Sequence, residues 1–394
     1  MHISLAILPL LSMMLVGAKL AGLLSQRLGM PAVFGELLLG LLLGPSLLDW
    51  IEPNDVFWLV GQIGVIVLMF MAGLETDMRE LRRVGGASLL TAVGGVLVPL
   101  GGGYLLGRAF HLPPLQALFL GAVLTATSVS ISAQVLRELG WLRSTQGSTI
   151  LGAAVIDDVL GVLVLSIVLA MAGAGSFWLS LLKMVIFFPV AWLVGHWLVP
   201  RLMQAEQRVA QKETAVAVLI GLLLIYAWSA EALGSIAAIS GAYLLGIIVA
   251  RHTTPDHYLH HSMNVIGYGF FVPIFFVGIG LEANAGAIWT APTLTASILV
   301  LALLGKIVGC GLGAYLGGFR GRALLSIGIG MVARGEVALV MVAAGRGAGL
   351  ADEAILSATI MMTLATTLIT PPLLRWSLAQ RQPEAPTELQ LSDS

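Results

Sequence analysis

A chain of 394 residues that is 58% hydrophobic and only 10% charged cannot clothe itself in a water-facing surface, since soluble domains carry about 25% charged residues. Lipid must be the solvent for most of it. A net charge of −1 leaves no basic field for nucleic acid, and a single cysteine, Cys310, excludes a disulfide framework.

A bilayer core about 30 Å thick needs roughly 20 apolar residues per helix. Apolar runs between polar or Pro/Gly breaks predict an all-α polytopic membrane protein of thirteen transmembrane segments. In chain order they fall near 3–24, 31–50, 58–75, 86–108, 114–136, 149–172, 177–203, 213–232, 234–250, 262–282, 288–317, 322–347 and 353–379. The first has no positive residue ahead of its apolar stretch, so it is expected to stay rather than be cleaved as a signal. The weakest separation is that of the eighth from the ninth, around 231–234. With the N-terminus outside and the spans alternating, the inner loops hold Arg27, Arg79, Arg82, Arg83, Arg137, Arg143, Arg201, Arg208, Lys212, Arg251, Arg320, Arg322, Arg375 and Arg381. The outer loops hold Arg108 and Arg346. This asymmetry predicts a bacterial inner-membrane protein with its N-terminus outside and C-terminus cytoplasmic. The tail, 381–394, is polar and short.

The chain also resembles itself. Ala72-Gly73-Leu74-Glu75 near the end of the third segment matches Gly278-Ile279-Gly280-Leu281-Glu282 near the end of the tenth. Residues 102–107 of the fourth match 313–318 of the eleventh, and 117–121 of the fifth match 323–328 of the twelfth. Each pair lies an odd number of segments apart, so matching helices cross in opposite directions, as in an inverted-topology repeat. The fifth and twelfth segments are both interrupted in the middle, by the Ser/Thr run 125–132 and by Ala333-Arg334-Gly335-Glu336. Unwound backbone at mid-depth survives only where protein or a wet cavity satisfies it, which makes the interruptions candidate ion sites.

Charges at mid-membrane are costly and mark function by default. Asp157, Asp158, Lys306, Arg334 and Glu336 lie deep; Lys19 and Lys183 lie near segment ends and can snorkel. Glu36, Glu75 and Glu282 sit close to interfaces, and Glu36 reads as a packing or gating residue. Asp157 and Asp158 point about 100° apart on one helix, so they face different partners. Lys306, at comparable depth in the eleventh segment, can neutralise one acid. A static ion pair explains one Asp and one Lys but not a second acid next door, where two like charges compete for ionisation. Carboxylate, hydroxyl and carbonyl oxygens suit a sodium-sized hard cation, so one site can hold either protons or a cation. Arg334 and Glu336 read as balancing free helix ends at the interruption.

On these residues, together with 126–129, 152–161, 304–306 and 333–337, the chain resembles the bacterial Na+/H+ antiporters of the cation:proton antiporter superfamily, in particular the NapA-like members, over nearly its whole length. The resemblance implies an NhaA-like fold of thirteen helices with two crossed, discontinuous ones. It divides the chain into a dimerisation scaffold (1–85 and 213–285), a core ion-transport domain (86–172 and 286–380), a linking helix (173–212) and the tail. It implies that Asp158 is the principal Na+ ligand with Thr127 and Ser128 nearby, and that Asp157 pairs with Lys306 and releases it when sodium binds. Exchange of Na+ or Li+ for H+ would be electrogenic and elevator-like, in a homodimer, with no cofactor. A potassium/proton antiporter, a sodium-coupled organic-anion symporter on a similar scaffold and a membrane sensor or channel are the competing readings. No catalytic nucleophile, metal-ligand cluster or phosphate loop stands in the sequence, so an enzyme is not expected.

Overall fold

The structure, a computed structural model, describes residues 7–173, 176–206, 212–253, 258–281 and 292–378. Of the residues singled out above, Glu282, Arg208, the Lys212 and Glu336 side chains and the tail 381–394 lie outside the described residues. The described chain is helical: α1 (Ile7–Arg27), α2 (Ala32–Leu43), α3 (Asp55–Glu75), α4 (Met78–Arg83), α5 (Gly85–Ala109), α6 (Pro114–Val123), α7 (Val129–Glu138), α8 (Thr145–Met171), α9 (Phe177–Glu206), α10 (Lys212–Ala232), α11 (Ala238–Ala250), α12 (Tyr258–Ile266), α13 (Val272–Leu281), α14 (Pro292–Leu316), α15 (Arg322–Gly330), α16 (Glu336–Gly347) and α17 (Glu353–Leu378). A π-helical turn, Gly267–Phe271, joins α12 to α13.

Among the described residues, nine helical runs are long and apolar enough to cross a membrane, and α2, α6, α11 and α16 are shorter apolar helices. Local chemistry sets several ends. Asn54 caps α3 by accepting from the N–H groups of Val56 and Phe57, Ser144 caps α8 by accepting from Gly147 N–H, and Pro114 opens α6 where no N–H is needed. The eighth and ninth apolar runs part at 233–237, where α10 has ended and α11 has yet to begin. The fifth run is two helices, α6 and α7, separated at 124–128. The twelfth is likewise two, α15 and α16, separated at 331–335.

The helices pack in two groups. In one, α1, α2, α3, α10, α11, α12 and α13 contact one another; in the other, α5 to α8 and α14 to α17 do so. Helix α9 lies against α8, α10 and α11, and the groups meet where α7 touches α2 and α3 and where α17 touches α2. Lipid is as apolar as leucine, so close packing and hydrogen bonds must hold helices together in place of water exclusion. Glycine supplies the close packing within each group. A Cβ at Gly94 of α5 would collide with the carbonyl of Gly309 in α14, and one at Gly121 of α6 with that of Leu100 in α5. In the other group Gly40 of α2 faces Gly280 of α13, and Gly73 of α3 faces Gly246 of α11, with equally little room. Large apolar side chains such as Leu20, Leu105, Trp178 and Leu193 stay exposed, as lipid-facing residues should.

Candidate functional site

Helix α8 carries Asp157 and Asp158 at its centre, and the structure sends them to different partners. Lys306 of α14 donates to both carboxylate oxygens of Asp157, with Nζ 2.9 Å from Oδ1 and 3.0 Å from Oδ2. Lys306 is wholly buried and Asp157 nearly so. Such a pair is tolerated away from water only because each charge is closely met by the other. Gly95 of α5 leaves the space for it: a Cβ there would lie 3.3 Å from Lys306 Nζ. Asp158, also buried, turns toward the other helix group, where Ser240 of α11 donates to Oδ2 at 3.0 Å. Ser240 is not among the residues that the sequence singles out.

Beside α8 the two helix breaks meet. Ser128 N–H donates to the carbonyl of Ala333 at 2.7 Å, joining the extended strands of the breaks. Arg334, buried entirely, donates from Nη1 to the carbonyl of Ala126 and from Nη2 to the carbonyl of Ala302 at 3.4 Å. Its own backbone is tied to α17, its N–H donating to Thr366 Oγ1 at 3.2 Å and its carbonyl accepting from Thr367 Oγ1 at 2.7 Å. A guanidinium has five donors in a fixed fork, which suits it to collecting carbonyls freed where a helix stops. Ser128 and Ser130 hydroxyls bond each other at 3.0 Å, and Ser132 bonds the carbonyl of Gly330. Thr127 Oγ1 is different. It is buried and has no hydrogen-bond partner among the described residues. Gly335 packs directly on Ser128, since a Cβ there would come within 2.8 Å of its Oγ.

A cavity of about 440 Å³ runs between the two groups from Asn54 and Ser235 to Gly335. Phe57, Ile239 and Phe275 line one wall, and Val162, Met341 and Thr363 the other. At the opposite end the groups are held together by polar contacts. Arg137 of α7 pairs with Glu75 of α3 at 2.9 Å, bonds Asn264 Oδ1 of α12 at 2.9 Å and lies 3.8 Å over the ring of Tyr268 in the π turn. Its neighbour Glu138 accepts from the N–H groups of Ala32 and Val33 at the start of α2 and from Gln134 Nε2 at 2.8 Å. One end is therefore open toward the helix crossing and the other is latched. From sequence, Arg137 reads only as a positive inner-loop charge, and Glu138 gives no signal.

The assembly is a polytopic helical bundle in which an adjacent acid pair, one acid neutralised and one turned to an inter-group boundary, lies beside two apposed helix breaks. The profile of the sodium/hydrogen exchanger, transmembrane family matches residues 12–380, and the chain belongs to that family. It is 39% identical over 373 residues to the Na(+)/H(+)-K(+) antiporter GerN of Bacillus cereus, covering 94% of this chain and 96% of that one. It is 35% identical over 372 residues to a Na(+)/H(+) antiporter of Enterococcus hirae, covering 93% and 97%. These relatives are transporters, not enzymes. The fold is similar to that of the sodium proton antiporter MjNhaP1 of Methanocaldococcus jannaschii, with a TM-score of 0.67 at 17% identity over 94% of this chain and 96% of that one.

The expectation, implied by the family resemblance, that Thr127 is a cation ligand can be tested through its unpartnered hydroxyl. Thr127→Val keeps the shape and removes the oxygen, so cation affinity should fall about tenfold, the scale of about 1.4 kcal/mol for one uncharged oxygen ligand. Isothermal titration of the purified protein with NaCl measures it, and unchanged affinity would remove Thr127 from the cation's ligands.

Proposed function

We propose that this chain is a secondary antiporter that exchanges Na+, and Li+, for protons across the bacterial inner membrane. The observation that carries the reading is the division of labour between the two adjacent acids of α8. Asp158 is the cation seat, completed by oxygens of the Thr127 and Ser128 break. Asp157 and Lys306 form the pair that releases and retakes a proton as the seat fills and empties. A proton and a hard cation compete for the same carboxylate, and that competition couples the two fluxes. Because Lys306 adds a charge that changes during the cycle, the exchange is electrogenic.

The family relationship supports an arrangement of thirteen membrane passes as an inverted repeat, with α6–α7 and α15–α16 as its crossed broken members. In this reading the group holding α8 and α14 is the transport core. The group holding α3 and α11 is the scaffold, through which two copies dimerise, and α9 links them. The core slides against the scaffold, so the cavity on one side closes as the Arg137–Glu138 latch on the other opens. With the N-terminus outside, the cavity faces outward and the latch faces the cytoplasm. Arg334 neutralises the crossing, with Glu336 as its counterpart.

Potassium is the second reading, favoured by the name of the GerN relative, which includes K+. One experiment separates the cations. Purified protein in proteoliposomes with an acidic interior should dissipate the proton gradient when Na+ or Li+ is added outside. A response to K+ of equal size would make it a broad cation antiporter. Silence with all three cations would sink the antiport reading.

A further inference from the structure

An antiporter with one seat must prevent its empty form from crossing, or the cation leaks without its proton. Ser240 lies in the first turn of α11, on the scaffold side, yet its hydroxyl donates to Asp158 Oδ2, on the core side, at 3.0 Å. Both residues are buried. A hydrogen bond to an ionised carboxylate is roughly twice as strong as one between neutral groups. The α11 amino end, where backbone N–H groups lack helical acceptors, adds a favourable field for an anion. The bond is therefore strongest when Asp158 is bare. It weakens when a proton neutralises the carboxylate or a cation draws on its oxygen.

We propose that Ser240 is a coupling residue, a tether that holds the empty, ionised Asp158 to the scaffold and lets go once the site is loaded. The inference rests on the antiport reading and on a core that slides against its scaffold. It requires no cation contact by Ser240, which acts through Asp158 as a positioning residue. The Ser240–Asp158 bond lies where sliding must break it, so it taxes the unloaded crossing and spares the loaded one.

The test uses the full chain in proteoliposomes and three fluxes: radioactive sodium counterflow with sodium on both sides, net sodium leak without a proton gradient, and protons moved per sodium. Ser240→Ala is expected to retain counterflow, raise the leak about tenfold, the scale of one charge-assisted hydrogen bond, and lower the protons moved per sodium. Ser240→Thr, which keeps the hydroxyl, should restore tight coupling. If the alanine variant fails to insert, Ser240→Cys, close in size and a weak donor, should show the same leak. An unchanged ratio in a variant lacking the hydroxyl overturns the proposal. So does loss of counterflow together with net exchange, which would make Ser240 part of the seat itself. Wild-type protein that moves no protons with any cation fails the underlying reading instead, and that control is run first.

Discussion

Asp158→Asn should abolish cation-driven proton movement while leaving the protein folded. The substitution keeps the shape of the side chain, and the amide oxygen can still accept from Ser240. Stability should therefore change by less than about 1 kcal/mol, the scale of one ordinary hydrogen bond. The charge is what disappears. A sodium-sized cation leaving water needs ionised oxygen to replace its hydration, and one formal charge in a poorly solvated site is worth far more than a neutral ligand. Cation affinity should fall at least about a hundredfold, which is about 2.7 kcal/mol. Titration with NaCl and proteoliposome flux together measure this. Normal transport by the variant would place the seat elsewhere.

Removing Lys306 should have the second large effect, and it should appear in stability before transport. The Lys306–Asp157 pair is buried at both ends, and deleting one partner strands a charge where water cannot reach it. Breaking such a pair costs about 3–5 kcal/mol. Lys306→Gln alone should thus lower the thermal midpoint in detergent markedly, and adding Asp157→Asn should recover most of the loss. The pairing is refuted if the double variant is no more stable than the single one. The same variants bear on the charge moved per cycle. Lys306→Gln should lose the voltage dependence of exchange before exchange itself, and unchanged electrogenicity would remove Lys306 as a proton carrier.

Much of this site is legible in the sequence because it breaks a rule that lipid enforces. Asp157, Asp158, Lys306 and Arg334 stand out because a charge in an apolar run needs a reason, and the run at 125–132 stands out because polar residues crowd it. Depth sets Lys306 level with the two acids but leaves open which of them it neutralises; that the partner is Asp157 is what the family resemblance implies, and the structure has the pair. Ser240 could not be found this way: one serine among apolar neighbours at 238–250 is what ordinary helix packing produces. Arg137 and Glu138 escaped for the opposite reason. Charges at the end of a segment are expected there, and nothing in their spacing shows that they reach α2, α3 and the π turn across a boundary. That turn was invisible too, since Gly267-Tyr268-Gly269 carries no signal that separates a widened turn from a regular one. The shortness of α2, 12 residues against an expected run at 31–50, came from Gly44 and Pro45, after which the chain leaves the helix while remaining apolar.

The glycine seams determine which parts can yield. Where Gly94 meets Gly309, or Gly40 meets Gly280, backbone lies on backbone and there is no side chain to change rotamer. Such a joint cannot loosen by degrees; it is either closed or broken. The boundary between the groups is built differently, from Arg137, Glu138, Asn264, Ser240 and Asp158, whose side chains can swing, exchange partners or accept water in passing. In the sliding motion proposed above, the two groups would move as stiff bodies along that face. Methyl groups added inside either group should jam assembly, whereas changes along the face should alter the rate of exchange.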